Sequence, residues 1–191
     1  FMKAIRRFII LAISAIVLTS ALAFVGCGEK DASQTAYLTG SMKLVIAPDA
    51  DATATVIDVD LTNFTEKDKV FDVVDALTDQ GKLCYKGTKG IYGVYLTAIG
   101  VPQVEGDYTY DSYILEEDSQ SGKYLYIYTN VAADMDDGEY ATTVTYEEKT
   151  LSSSLNGISK MSIEDGAIIY MTYITVSYTH LRAPRHLRIS Y

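Results

Sequence analysis

Between residues 37 and 175 apolar and polar positions alternate with a period of two along most of the chain, and one stretch breaks to a period of 3.6. Over 37–46 and 54–61, β-branched and apolar residues occupy every second position, with Pro48-Asp49-Ala50-Asp51 between the runs, which predicts a hairpin. Over 65–80, Val70, Val73, Val74 and Leu77 fall at i, i+3, i+4 and i+7, while Asp68, Asp72, Asp75 and Asp79 take the other face, which predicts an amphipathic helix. Thr65 and Asp68 have capping-box spacing with Asp in the Glu position, and Gly81 supplies a stop. Strands are predicted again over 92–99, 108–115, 123–130, 140–147 and 167–175, separated by Gly, Asp and Ser turns. The expected fold class is α+β: a mostly antiparallel sheet with one packed helix.

The first 26 residues follow a different pattern. Lys3, Arg6 and Arg7 precede an uncharged run over 8–25, the order of a secretory signal, so a signal helix is expected ahead of the domain. The run also approaches the ~20 residues that span a bilayer, which leaves a retained membrane helix as the other reading. Phe24-Val25-Gly26-Cys27 resembles the lipobox of bacterial lipoproteins. That resemblance implies cleavage after residue 26 and lipid attachment through the Cys27 thiol, with 27–36 as a polar tether. Acyl chains at ~0.8 kcal/mol per buried CH₂ would hold such a protein on the membrane permanently. On either reading the remainder is extracytoplasmic. At the other end, 176–191 resembles translated sequencing-adapter read-through, and it carries Arg182, Arg185, Arg188, His180 and His186. It is expected to lie outside the domain.

Setting both ends aside changes the charge. Residues 27–175 keep all 25 acidic residues and 10 of the 16 basic ones, a net −15 against −9 for the whole chain. Such a domain repels nucleic acid. A domain spanning 37–175 supports one hydrophobic core. With Cys27 acylated, Cys84 has no disulfide partner and is expected as a small buried apolar residue. Catalytic chemistry finds little footing: 27–175 contains no His, no Gly-x-Ser-x-Gly elbow, no phosphate loop and no zinc spacing. Nothing singles out a carboxylate pair for glycoside hydrolysis. The acidic run Asp134 to Glu139 lacks EF-hand spacing and reads as a solvated turn rather than a metal loop. No catalytic residue, metal or resident cofactor is therefore expected.

The sequence order carries a resemblance. The helix from Val70 to Leu77 is followed by Gly-Ile-Tyr-Gly-Val-Tyr-Leu from Gly90, then Lys-Tyr-Leu-Tyr-Ile-Tyr-Thr-Asn from Lys123, then Ile-Glu-Asp-Gly-Ala-Ile-Ile-Tyr from Ile163. Over about 69–173 this resembles the transcobalamin-like C-terminal domain, also known as domain of unknown function 4430. Two departures stand out: Leu125 occupies the position of the family's strand Trp, and the 108–122 segment is longer than the family's compact loop. The resemblance implies a β-grasp-like fold and a cobalamin-type ligand. In the animal carriers that name the family, a large helical domain holds most of the corrinoid, and no counterpart of it is evident in this sequence.

The residues themselves point to binding through tyrosine. Tyr92, Tyr95, Tyr124, Tyr126 and Tyr128 are candidate ligand contacts, because a tyrosine presents a flat apolar face with a polar tip to a glycan, a planar cofactor or a protein surface. Strand alternation puts Tyr124, Tyr126 and Tyr128 on one face and Leu125 and Ile127 on the other. The tyrosine ladder is then either cross-strand structural pairing or a ligand platform. Candidate partners are the membrane through Cys27, and cobalamin, glycan or an envelope protein at the tyrosines. A structural role in a cell-envelope assembly, with no small-molecule ligand, is the alternative function.

Overall fold

The computed structural model describes residues 36–49 and 53–175. The expected signal helix, Cys27, all but the last residue of the tether, the tip of the first turn and the 176–191 tail lie outside the described residues.

Eleven strands and one α-helix follow in order: β1 (Ser41–Ile46), β2 (Thr55–Asp60), a 3-10 turn (Leu61–Asn63), α1 (Val70–Asp79), β3 (Cys84–Gly90), β4 (Gly93–Gly100), β5 (Gln103–Glu105), β6 (Tyr108–Tyr110), β7 (Tyr113–Glu116), β8 (Lys123–Thr129), β9 (Thr143–Tyr146), β10 (Lys149–Ser153) and β11 (Ile168–Thr175). Six strands form one sheet in the order β2-β1-β11-β8-β10-β9, three form β3-β4-β7, and β5 with β6 makes a separate ribbon. The architecture is mostly sheet with one helix, as expected. The six-stranded sheet is mixed, because β1 and β11 run parallel and every other pair is antiparallel.

The period-two pattern sorts side chains onto two faces of that sheet. Met42, Leu44 and Ile46 of β1, Ile169 and Met171 of β11, and Leu125 and Ile127 of β8 point into the main core with Val70, Val73, Val74 and Leu77 of α1. Leu96 and Ile99 of β4 and Leu115 of β7 join the same core. Each such side chain contributes ~1.5–3 kcal/mol on leaving water. The alternate positions, Val45, Tyr128, Ile168 and Tyr170, form a second cluster with Ala47 and Leu151 on the opposite face.

The helix begins later than its periodicity suggests. Asp68 accepts from both the backbone N–H and the hydroxyl of Thr65, at 2.7 and 2.8 Å, so that pair closes a turn of its own. Lys69 stays extended and bridges to Ser162, which postpones the helix to Val70. Asp72 then supplies the acceptor for the Lys69 N–H. At the other end Gly81 (φ +68°) donates to Thr78 O and Lys82 to Leu77 O, the pair of bonds that closes a Schellman stop.

Three strands exceed the pattern: β3, β10 and the short β5. β3 carries Gly87, Gly90 and two lysines, and β10 ends on two serines after Lys149, Thr150 and Leu151, so neither shows apolar alternation. Register holds them instead: β3 pairs along β4 from Cys84–Gly100 to Gly90–Gly93, and β10 bridges β9 and β8. The predicted 108–115 strand divides into β6 and β7, because β7 pairs with β4 while β6 turns back on β5. Cys84 is buried, and its thiol donates to Ser112 O at 3.6 Å. Burial pushes that thiol's pKa up, away from thiolate chemistry.

Candidate functional site

The five candidate tyrosines separate into two environments. In β8 the alternation places Tyr126 and Tyr128 away from the main core, as read from sequence, but that face is packed. Tyr128 is 8% exposed and sits edge-on to both Tyr126, at 5.3 Å between ring centroids, and Tyr170, at 6.4 Å. Tyr146 of β9 meets Tyr170 at 5.8 Å. The Thr142 hydroxyl donates to the Tyr128 oxygen at 3.2 Å, so the polar tip is also engaged. Tyr124, on the same strand face, is half-buried. Burial raises the Tyr170 pKa, with smaller contributions from Tyr128 and Asp49.

Tyr92 and Tyr95 lie elsewhere. β3 and β4 form a hairpin whose tip is Ile91-Tyr92, closed by the Gly90–Gly93 pair. Tyr92 is 79% exposed and Tyr95 57%. The Tyr95 hydroxyl donates to Glu117 at 2.7 Å, and the same carboxylate oxygen accepts from Leu125 N at 3.1 Å. Burial first, and then that carboxylate, push the Tyr95 pKa up to about 12. The phenol is therefore a fixed donor with its ring face left open.

The wall facing this hairpin is the segment running from Leu155 to Lys160. Its conformation is set by two buried anchors, Ile158 and Met161, whose carbonyls accept from Phe71 N and Val70 N at the start of α1. Those two N–H groups have no acceptor inside the helix, so the loop and the helix terminus satisfy each other. Ser159 Oγ accepts from Val94 N at 2.9 Å, which fastens the loop to β4. That approach requires Gly93: its φ is +110°, and a Cβ there would run into the Ser159 side chain.

Asp134 holds the same loop from below. The sequence reading placed it in a solvated acidic turn, and here the structure differs. Asp134 is 2% exposed, and its carboxylate accepts from Asn156 Nδ2 at 2.8 Å and Ser162 N at 2.7 Å. A buried carboxylate needs such donors, and it finds them on the groove wall rather than in solvent. The remainder of the run behaves as a turn, with Asp136 accepting from Gly138 N. Among the described residues no group of three or more His, Cys, Asp or Glu side chains could hold a metal ion.

Between the hairpin and this loop lies an open groove of about 670 Å³, lined by Tyr92, Val94, Tyr95, Leu155, Asn156 and Lys160 together with Thr88 and three glycines. Leu155 is itself 62% exposed. The Lys160 ammonium stands 5.7 Å from the Tyr92 ring centroid, within cation-π range. The groove thus offers two aromatic faces, an aliphatic edge and one cation, a surface suited to a ring-shaped ligand of modest size. The structure brings Tyr92 and Tyr95 into this groove and leaves Tyr126 and Tyr128 in the tyrosine cluster, whose edge borders a second groove of about 530 Å³ lined by Tyr128, Tyr170, Tyr173 and Lys123. The sequence reading did not find Leu155 and Lys160; the apolar pair Ile158 and Met161, flanking polar residues in a loop, is the signal that this segment is anchored.

No family model matches the chain, and no curated protein sequence does. Two solved structures are similar in outline. One is described as a "putative metal binding protein" from Ruminococcus gnavus, at 12% identity and a TM-score of 0.43, covering 72% of this chain and 99% of that one. The other is haptocorrin in complex with Cbi, at 10% identity and a TM-score of 0.42, covering 75% of this chain. The chain spans about a quarter of haptocorrin, 26% of its length. The functional reading therefore rests on the groove's own residues.

Proposed function

We propose that this chain is a lipid-tethered extracytoplasmic module that binds a ring-shaped ligand in the groove between the β3–β4 tip and the Leu155 to Lys160 segment, and that it acts by binding rather than catalysis. The carrying observation is that Tyr92 and Tyr95 keep most of their surface open while facing an anchored wall. Leaving aromatic faces in water forgoes burial that Tyr128 and Tyr170 obtain, and a ligand that stacks on them recovers it. The candidate ligands are a glycan, a planar cofactor and, through the family resemblance, a corrinoid. A groove of this size takes a disaccharide or the edge of a larger ring system. The binding reading is supported by the lining, where among the described residues Lys160 is the only charged one and the Tyr95 hydroxyl is already committed to Glu117. The acidic surface argues against nucleic acid as a partner.

Titration of the protein with cobalamin, cobinamide and neutral and acidic sugars, followed by tyrosine fluorescence, tests this reading. Binding that Tyr92→Ser abolishes is the expected result; silence with every ligand contradicts it. Tethering is tested separately: Cys27→Ala should release the protein from membranes, and a variant that stays attached favours the retained helix.

The second reading, a structural piece of an envelope assembly, is favoured by the β5–β6 ribbon. All six of its residues are exposed, with Val104, Tyr108 and Tyr110 among them and the two tyrosine rings stacked at 6.2 Å. A two-stranded ribbon alone is marginal in water, and a protein partner would steady it. Deleting 103–110 should leave groove binding intact and abolish capture of an envelope protein if this reading holds.

A further inference from the structure

We infer that the ligand of the groove carries an anionic group on the edge of its ring, and that Lys160 receives it; the inference rests on the groove being the binding site. Carboxylates outnumber lysines 25 to 10 over 27–175, so a groove whose described lining holds a lysine and no carboxylate runs against the charge of the domain. Lys43 pairs with Asp58 and Glu147, and Lys86 with Glu116. Lys160, like the other described lysines outside those two, makes no ion pair; what sets it apart is its place in the groove beside the face of Tyr92. Among the described residues no carboxylate lines the groove, although Glu117 lies behind the Tyr95 hydroxyl. The groove is thus a local inversion of sign on an acidic domain.

The placement of this cation is built rather than incidental. Ile158 and Met161 are buried on either side, Ser159 bonds to Val94 N, and Ser162 N is fixed to the buried Asp134. The backbone at Lys160 is therefore set before any ligand arrives. A ring laid against Tyr92 meets the ammonium at its edge, and three N–H donors suit a carboxylate or a phosphate oxygen. For a neutral ring the lysine adds little. For an anionic one it offsets the repulsion of the surrounding carboxylates, which at physiological salt reaches only ~8 Å. The same chemistry occurs on a hexuronic acid and on the phosphodiester of cobalamin, and matched probes separate the two sources.

The test uses two pairs: methyl glucuronide with methyl glucoside, and cobalamin with cobinamide, which lacks the whole nucleotide and with it the phosphodiester, so that in the second pair the part of the difference lost in Lys160→Gln is what counts. In one pair the anionic member is expected to bind about tenfold more tightly, a difference of about 1.4 kcal/mol. Lys160→Gln should abolish that preference, Lys160→Arg should retain it, and raising the salt should shrink it. Lys160 is exposed, so these variants leave the core untouched. Equal binding within both pairs, lost in Tyr92→Ser, would overturn the anionic inference and leave the groove standing. A preference that survives Lys160→Gln overturns it as well. No binding by any of the four probes overturns the inference and the groove reading together.

Discussion

Two groups of tyrosines, built from the same residue type on neighbouring strands, end in opposite circumstances. Tyr126, Tyr128 and Tyr170 meet edge to face across β8 and β11, Tyr146 of β9 leans on Tyr170 at a tilt, and Tyr128 is nearly buried. Tyr92 and Tyr95, on the hairpin of the smaller sheet, keep open faces opposite a loop from 60 residues further along the chain. Strand alternation tells which side of a sheet a residue takes. It does not tell whether something covers that side, and the cover separates a structural tyrosine from one available to a ligand.

The largest expected effect separates the groups by stability. Tyr128→Ser should cost about 3 kcal/mol, because it opens a cavity and strands its neighbours' ring contacts. Tyr92→Ser should stay within about 0.5 kcal/mol, as an exposed site away from the core does. Urea denaturation of both variants checks this, and comparable losses would erase the distinction.

Asp134→Ala comes next, with a loss of about 2 kcal/mol, since Asn156 Nδ2 and Ser162 N each lose an ionised acceptor. Unlike Tyr128→Ser, it should also weaken groove binding, because the Leu155 to Lys160 wall loses its support. Calorimetric titration with whichever probe binds the parent protein reads that second effect.

A gain is expected at the β9–β10 turn that presents Tyr146. Glu147 and Glu148 both take left-handed backbone, at φ 47° and 64°, a conformation that favours glycine or asparagine. Glu148→Gly should raise stability by about 1 kcal/mol by relieving that strain. Thermal denaturation would show a higher midpoint, with groove binding unchanged.

The smallest effect is a titration. Tyr95 holds its proton to about 12, above the ordinary value of 10.0. Because the folded form binds the proton more tightly, the associated stability is complete below the unfolded pKa and is lost as pH rises from about 10 through about 12. The Tyr95 ring-carbon resonance should follow the high value. Glu117→Gln should bring it only part of the way down, since burial is the larger cause.

The legible parts of this molecule are those where one side chain decides one face. The β1–β2 hairpin, α1, β8 and β11 carry clear periods because alternate or i, i+3, i+4 side chains enter the main core. β3 and β10 were not legible, since Gly87, Gly90, Ser152 and Ser153 satisfy backbone and register without an apolar rhythm. Asp134 shared a run with Asp136 and Asp137, and only the third dimension shows that Asn156 and Ser162 withdraw it from water. Tyr92 and Tyr95 were named as candidates from their sequence; their facing wall was not, because Lys160 reaches them through a loop pinned at Ile158 and Met161.

The most direct test of the groove as the ligand site is a residue-resolved NMR titration with methyl glucuronide and, in parallel, cobalamin. The account predicts that one of them shifts the resonances of Tyr92, Tyr95, Leu155 and Lys160 at saturation and leaves Tyr126, Tyr128 and Tyr170 in place. Shifts centred on β8 and β11, or none with either probe, would contradict it.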